Sequence, residues 1–469
     1  MRRKRSDEII NRSLSSRANR RDVIRRGAVA GAGAAALAAS GTRLVGAQGT
    51  PASTPSAGGA TAMPGGNTPM GPQVDGLVFW TRASPEDAGR PNTFTQLRAR
   101  ADAYTAAVGT PIEIVTVPDA DFRPRMSTAA PGGEGPDAFG PVAHDWIGEF
   151  ALQQIALEMP DGAIESIEDF LPVTLALSSV DGPLYAAPLF AESVALIYNR
   201  DLVETPPATW DELVTMSQAL TSGEVYGFGF PLLEQYHEGG FFMGFGSYIF
   251  KYENGVFNTE DIGLNTPEGV EAAKFIRDMY HMQMPPMPDV VIDRANMHGV
   301  IEGMMESGQV AMTINGPWRE NPLTAAGINY GVSVLPTLPN GEPMRPFIGV
   351  QGMLVSAFSE NQEAALDFVN FMTGTDSSVA LFASEQKVPA RASALQSETV
   401  AADETIPAWA AQIQLGQPMP NIAAMGQVWT PWGAAMDAIV PPNASDEEVQ
   451  QYLDDAVVQI QTAIERTQG

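Results

Sequence analysis

PLYAAPLFAESVALIYNRDL, running from Pro183 to Leu202, is almost wholly apolar and carries one acid in mid-run, Glu192. Val194, Leu196, Ile197 and Tyr198 read as a buried strand. A carboxylate at the mouth of such a strand must be satisfied by hydrogen bonds or a pairing charge, because burying it bare is costly. Pro188 lacks an N–H for a central ladder, so the chain is predicted to change course there, as at a crossing between two domains. A paired acid within one ordinary core is the plainer alternative.

Upstream, Leu77-Val78-Phe79-Trp80 is a short strand and Thr93 to Val108 a helix, with Phe94, Leu97, Ala101 and Tyr104 on one face and Gly109 as its stop. Ile112 to Val117 is a second strand. Strand, helix, strand at this spacing predicts a βαβ unit and an α/β fold. A further strand through Ala138-Phe139 leads to Ala143-His144-Asp145-Trp146, which opens a helical stretch through Leu152. Asp145 is there either as a ligand group at a strand end or as an N-cap.

Downstream, Thr209 to Glu212 is a capping box, and Thr266-Pro267-Glu268 starts another helix. Between them Glu234-Gln-Tyr236-His-Glu-Gly-Gly has the composition of a binding loop. Val310 to Ile314 is a strand ending in Asn315-Gly-Pro-Trp318, a turn expected to throw Trp318 out as a ligand platform. Phe347 to Val355 is an apolar strand and Gln362 to Met372 an amphipathic helix. The loop from Met419 to Trp432 sets Trp429 and Trp432 on either side of Pro431, so both are not expected to bury on one helix face. The last helix begins with a capping box at Ser445 to Glu448.

A length of 469 residues argues for two or three domains. Residues 1–47 hold eleven Arg and Lys against three acids, with Asn19-Arg20-Arg21-Asp22 resembling a twin-arginine motif, a weakly apolar Gly27 to Ser40, and small residues at Val45-Gly46-Ala47. This reads as an export signal, an uncleaved anchor being the alternative. Residues 48–75, rich in Gly, Pro, Ser and Thr, read as a disordered tether. Taking the leader's charges from the chain's 27 basic and 55 acidic residues leaves 16 against 52, a net charge of −36. Nucleic acid and anionic lipid headgroups are poor partners, because either would face a repulsive field. Cysteine is absent, so the core alone must hold the fold.

Carboxylates (Asp145, Glu192, Glu234) and aromatics (Tyr236, Trp318, Trp429, Trp432) thus collect at strand ends and loops. This is the chemistry of sugar binding: indole faces stack on pyranose C–H faces, and carboxylates accept from hydroxyls. Paired carboxylates also describe glycoside hydrolases, and spacing in sequence cannot separate the two. No nucleophile elbow, phosphate-cradling Gly loop or zinc-spaced histidine pair is present, and no cofactor or metal is expected.

Pro183 to Leu202, Phe250 to Gly255, Val310 to Trp318, Tyr330 to Pro336, Pro346 to Val350 and Met419 to Ile422 strongly resemble the maltose- and maltodextrin-binding proteins, the substrate-binding subunits of ABC importers, from about Gly76 onward. The resemblance implies a two-lobed periplasmic-binding-protein fold with a multi-strand hinge and a sugar cleft between lobes: residues 76–190 with 353–399, and 191–352 with 400–469. It implies a non-catalytic monomer that closes on an α-glucoside and delivers it to a membrane permease.

By matched position, Asp145 and Glu192 would be carboxylates facing the sugar, Glu234 and Tyr236 would come from the second lobe, and Trp318 and Trp429 would stack; Met419 is counted among the ligand-binding residues as well. Glu192 would find its partners in ligand hydroxyls. The chain departs from the family pattern at Val142, at Thr430 and Gly433 where the family has tyrosine and arginine, and at Trp146, where it has arginine. Trp146 and Trp432 are expected to compensate. The family's strand-end Asp-Lys pair has no clear counterpart, with Arg82, Glu86 or Asp87 as possible substitutes.

Overall fold

The computed structural model describes residues 71–85, 92–253 and 256–468. The basic leader, most of the tether, and Glu86 and Asp87 lie outside the described residues. The end of the tether is already fastened, since the Gln73 side chain donates to the Gly109 carbonyl and the Val74 N–H to Thr110 Oγ1.

In chain order the strands are β1 (Leu77–Thr81), β2 (Ile112–Thr116), β3 (Ala138–Ala143), β4 (Ala187–Glu192), β5 (Ala195–Asn199), β6 (Phe250–Glu253) and β7 (Val256–Ile262). They continue with β8 (Met312–Asn315), β9 (Tyr330–Ser333), β10 (Phe347–Val355), β11 (Val388–Pro389) and β12 (Gln417–Pro418). One sheet runs β11-β4-β10-β3-β1-β2, with β12 beside β10; a second runs β8-β5-β9; β6 and β7 form a separate hairpin. β1 is parallel to β2 and β3, as the βαβ reading requires, and the helix Thr93–Val108 stops at Gly109, whose φ of 87° favours glycine.

The opening stretch serves both sheets. β4 lies between β10 and β11 in the large sheet, and β5 is the centre of the small one. The change of course therefore comes at Ser193-Val194 and not at Pro188. Pro188 stays inside β4 because the β10 ladder shifts register beside it, pairing Phe190 with Gln351 but Pro188 with Gly352. Ser193 Oγ donates to the Phe347 carbonyl at 2.8 Å, tying this crossing to the start of β10.

The core of the large sheet runs on to Ala195 and Ile197 of β5, so it reaches both sheets. Phe79, Leu97, Phe190, Val350 and Phe368 pack around the large sheet, joined by Trp409 of the helix Ile406–Leu415. Leu196, Phe241, Ile276, Trp432 and Leu453 pack around the small one. The helix starts behave as their sequences dictate. Thr209 and Glu212 cap each other, and Thr266 accepts from the Gly269 N–H with Pro267 at the first helical position. Among the described residues no helix is long and apolar enough to cross a membrane.

Candidate sugar-binding site

A cavity of about 230 Å³ is lined by Ala143, His144, Asp145, Trp146, Glu192, Glu234, Tyr236, Met419 and Trp429. Seven of the nine residues expected from sequence meet there; Trp318 and Trp432 do not line it. A larger surface groove of about 490 Å³ beside β7 has acids but no aromatic ring in its lining, so it lacks the stacking half of a sugar site.

The first wall is the junction of β3 with the helix His144–Leu152. Ala143 is the N-cap residue, so Asp145 lies in the first turn and does not cap; it lines the cavity. Burial raises the Asp145 pKa, against the charges of Arg123 and Arg82. Trp146 is held between two guanidinium groups, Arg82 at 4.9 Å and Arg123 at 5.1 Å from the ring centroid. Of the substitutes for the missing strand-end pair, Arg82 thus reaches the site region.

Glu192, at the end of β4, is the floor. Its Oε1 accepts from Gln351 Nε2 at 2.7 Å, and Lys387 Nζ lies 3.0 Å from Oε2. The acid therefore has protein partners of its own, which corrects the expectation that ligand hydroxyls satisfy it. Burial pushes its pKa up, but the Lys387 charge and the two hydrogen bonds outweigh burial and hold it below the ordinary glutamate value.

Gly349, paired with Glu192 across the ladder, is where the floor converges. A Cβ there would stand 3.1 Å from Glu192 Cγ, 3.2 Å from the Tyr236 hydroxyl and 3.4 Å from His144 Cε1.

The second wall is not a loop. Glu234 is the N-cap of the helix Gln235–Phe245, accepting from the His237 N–H, and its Oε2 lies 2.6 Å from His237 Nδ1. Burial raises its pKa, and the hydrogen bond and charge of His237, with His298 beyond, outweigh that and lower it overall. Tyr236 follows in the first turn. Burial drives its phenol well above the ordinary value, so it stays a donor, and its buried hydroxyl has no protein partner.

Phe347, at the start of β10, gathers the aromatic side. Its ring stacks on Tyr236 at 5.9 Å and 29°, and meets Trp429 edge-on at 6.0 Å. Trp318 is one layer out, against Tyr236 at 6.2 Å, because its ring folds back over Gly316. Trp432 is fully buried behind Trp429, the two rings stacked at 6.4 Å and 10°. Pro431 falls in the first turn of the helix Trp429–Ile439, where proline is tolerated, so both indoles share one face after all. Trp432 backs the Trp429 platform and does not line the cavity.

His144 is the member that residue reading passed over, although the Ala-His-Asp motif named it. Its Nδ1 accepts from the Val350 N–H at 3.0 Å, and burial lowers its pKa, so the ring is neutral and Nε2 carries the proton. That buried N–H has no protein partner. The site thus offers an ionised acceptor held by protein groups, two further carboxyl groups at helix starts, two unpartnered polar groups and an indole face.

A family model described as bacterial extracellular solute-binding protein matches residues 87–378. The chain belongs to that family. It is 31% identical over 350 residues to a galactooligosaccharide-binding protein of Bacillus subtilis, spanning 74% of this chain and 81% of that one. A maltotriose-binding protein of Pyrococcus abyssi is 30% identical over 379 residues, or 79% of this chain and 80% of the other. Among solved structures, the Thermus thermophilus maltotriose-binding protein bound with maltotriose superposes with a TM-score of 0.73 at 31% identity, over 83% of this chain and 100% of that one. These relatives and structural neighbours are binding proteins.

Proposed function

We propose that this solute-binding protein takes up a maltodextrin or related α-glucoside in the cavity between its two sheets and delivers it, unmodified, to a membrane ABC permease. The observation that carries the reading is the meeting of Asp145, Glu192, Glu234, Tyr236 and Trp429 around one cavity, with acceptors and an indole face set as a pyranose demands. The lobes follow the sheets. Residues 76–192 with 349–399 lie about the large one and 194–346 with 419–468 about the small one, with Ser193, the start of β10 and the helix Ile406–Leu415, which touches both, in the hinge. Sugar touches both lobes only when they close, so its differential affinity selects the closed shape for the permease to read.

The basic leader supports twin-arginine export to the periplasm or the outer face of the cytoplasmic membrane, and the protein acts there as a monomer without catalysis. The Bacillus subtilis relative supports a second reading, a galactooligosaccharide as ligand. Calorimetric titration with maltose, maltotriose, galactobiose and lactose separates the two, and chromatography of maltotriose after prolonged incubation tests for hydrolysis. Binding of maltotriose with the sugar recovered intact is the expected outcome. Sustained release of glucose or maltose would return the glycosidase reading.

A further inference from the structure

Behind the cavity floor runs a chain of buried polar contacts that the binding of a sugar does not by itself require. Arg82 Nη2 donates to Gln351 Oε1 at 2.9 Å, and Gln351 Nε2 donates to Glu192 Oε1 at 2.7 Å. Lys387 Nζ lies 3.0 Å from both Glu192 Oε2 and Glu385 Oε2, and Glu385 Oε1 accepts from Thr93 Oγ1 at 2.7 Å. Lys387 and Glu385 are each only 4% exposed.

The placement is built from three local features. Gln386 ends the helix Thr375–Glu385 in the left-handed conformation, with φ at 53°. The chain then enters β11, whose Val388 pairs with Ala191 of β4. Lys387 is thereby set beside the end of β4, within reach of Glu192, where a mobile surface lysine could not be held.

We propose that Lys387 is the positioning residue of the site: from behind the sheet it keeps Glu192 as a fixed, charged acceptor aimed at a ligand hydroxyl, while Gln351 fixes the other oxygen. The proposal rests on the sugar-binding reading for its purpose, but not for its physics. An unpaired carboxylate at this depth would take up a proton and exchange an acceptor for a donor. Among the described residues, the other charges near Glu192 do not replace Lys387. Across the cavity it meets neutral His144, Asp145 and the Tyr236 phenol; behind it stands Glu385, an acid; and Arg82 reaches it only through Gln351.

The test has two arms on the full chain. In the first, without sugar, carbon-13 glutamate spectra follow the Glu192 carboxyl with pH, assigned by its loss in E192Q. K387M should move its titration upward, and K387R should bring it back. In the second, the dissociation constant for maltotriose is measured from pH 6 to 8. It should be flat in the natural protein and about tenfold weaker at pH 6 than at pH 8 in K387M, one proton being linked to binding. K387M/E385Q removes the leftover acid, guards against a simple failure to fold, and should behave the same way. A Glu192 titration unmoved in folded K387M, or a uniform loss of affinity without pH dependence, would overturn the proposal. Absence of maltotriose binding by the natural protein would instead strike the ligand reading and leave the spectroscopic arm to decide Lys387.

Discussion

Glu238 gives the sharpest stability test, because it is fully buried one turn after Glu234 on the helix that carries Tyr236. Its Oε1 accepts from Gln235 Nε2 at 3.2 Å, and Oε2 has no protein partner. Burial, aided by the charges of Glu234 and Asp437 and opposed by Gln235 and Arg294, raises its pKa from the ordinary 4.5 to about 8. Below pH 4.5 this acid is protonated in both folded and unfolded chains and contributes no pH dependence. Between 4.5 and 8 only the unfolded chain releases the proton, so stability falls as pH rises, and it levels off above 8. At 1.36 kcal/mol per unit, the whole fall is at most on the order of 5 kcal/mol.

E238Q keeps the shape and removes the proton. Urea denaturation of the natural chain and of E238Q at pH 4.5, 6 and 8 should show similar stabilities at the lowest pH, and a variant more stable by about 2–4 kcal/mol at pH 8. Taking the difference between the two proteins cancels Glu320, whose pKa burial also raises, to about 7. A difference that does not grow with pH would show that Glu238 is not held neutral, and the reasoning would fail.

Y236F removes a hydroxyl that has no protein partner, so the melting temperature should hold while affinity for maltotriose falls about three- to tenfold, the worth of one hydrogen bond. W429A should weaken binding by tenfold or more, about 1.5 kcal/mol or above, with modest loss of stability. W432A should instead cost about 3–5 kcal/mol of stability in denaturant melts, because it empties a core position. G349A drives a methyl group against Glu192, Tyr236 and His144, and calorimetry should show affinity lowered by about tenfold or more while the protein remains folded.

The α/β class was legible because periodicity, caps and the helix stop at Gly109 all agreed locally. Glu192 announced itself as the acid in the middle of an apolar run, Asp145 by its place past a strand end, and Glu234 by the composition of the stretch around it. The partners of Glu192 could not be read in the same way. Gln351 is 159 residues away, and Lys387 farther still, so only the packing of β10 and β11 on β4 brings them together.

Trp432 was misplaced by a local rule applied one position too far: proline breaks a helix interior but not a first turn. Trp318 was placed by its turn without sight of Gly316, the bare surface that lets the ring fold back. Phe347, the hub of the aromatic wall, looked like one more apolar residue in a buried strand.

Intrinsic tryptophan fluorescence of the full chain, titrated with maltotriose in parallel with W429F, tests the central claim most directly. Trp429 lines the cavity while Trp432 lies sealed behind it, so occupancy should perturb the former ring. A saturable change in the natural protein that shrinks in W429F, with Trp146 on the same lining carrying the remainder, while calorimetry still registers binding, is the expected result. A folded protein that gives neither fluorescence change nor heat with maltotriose would contradict the assignment of this cavity to an α-glucoside.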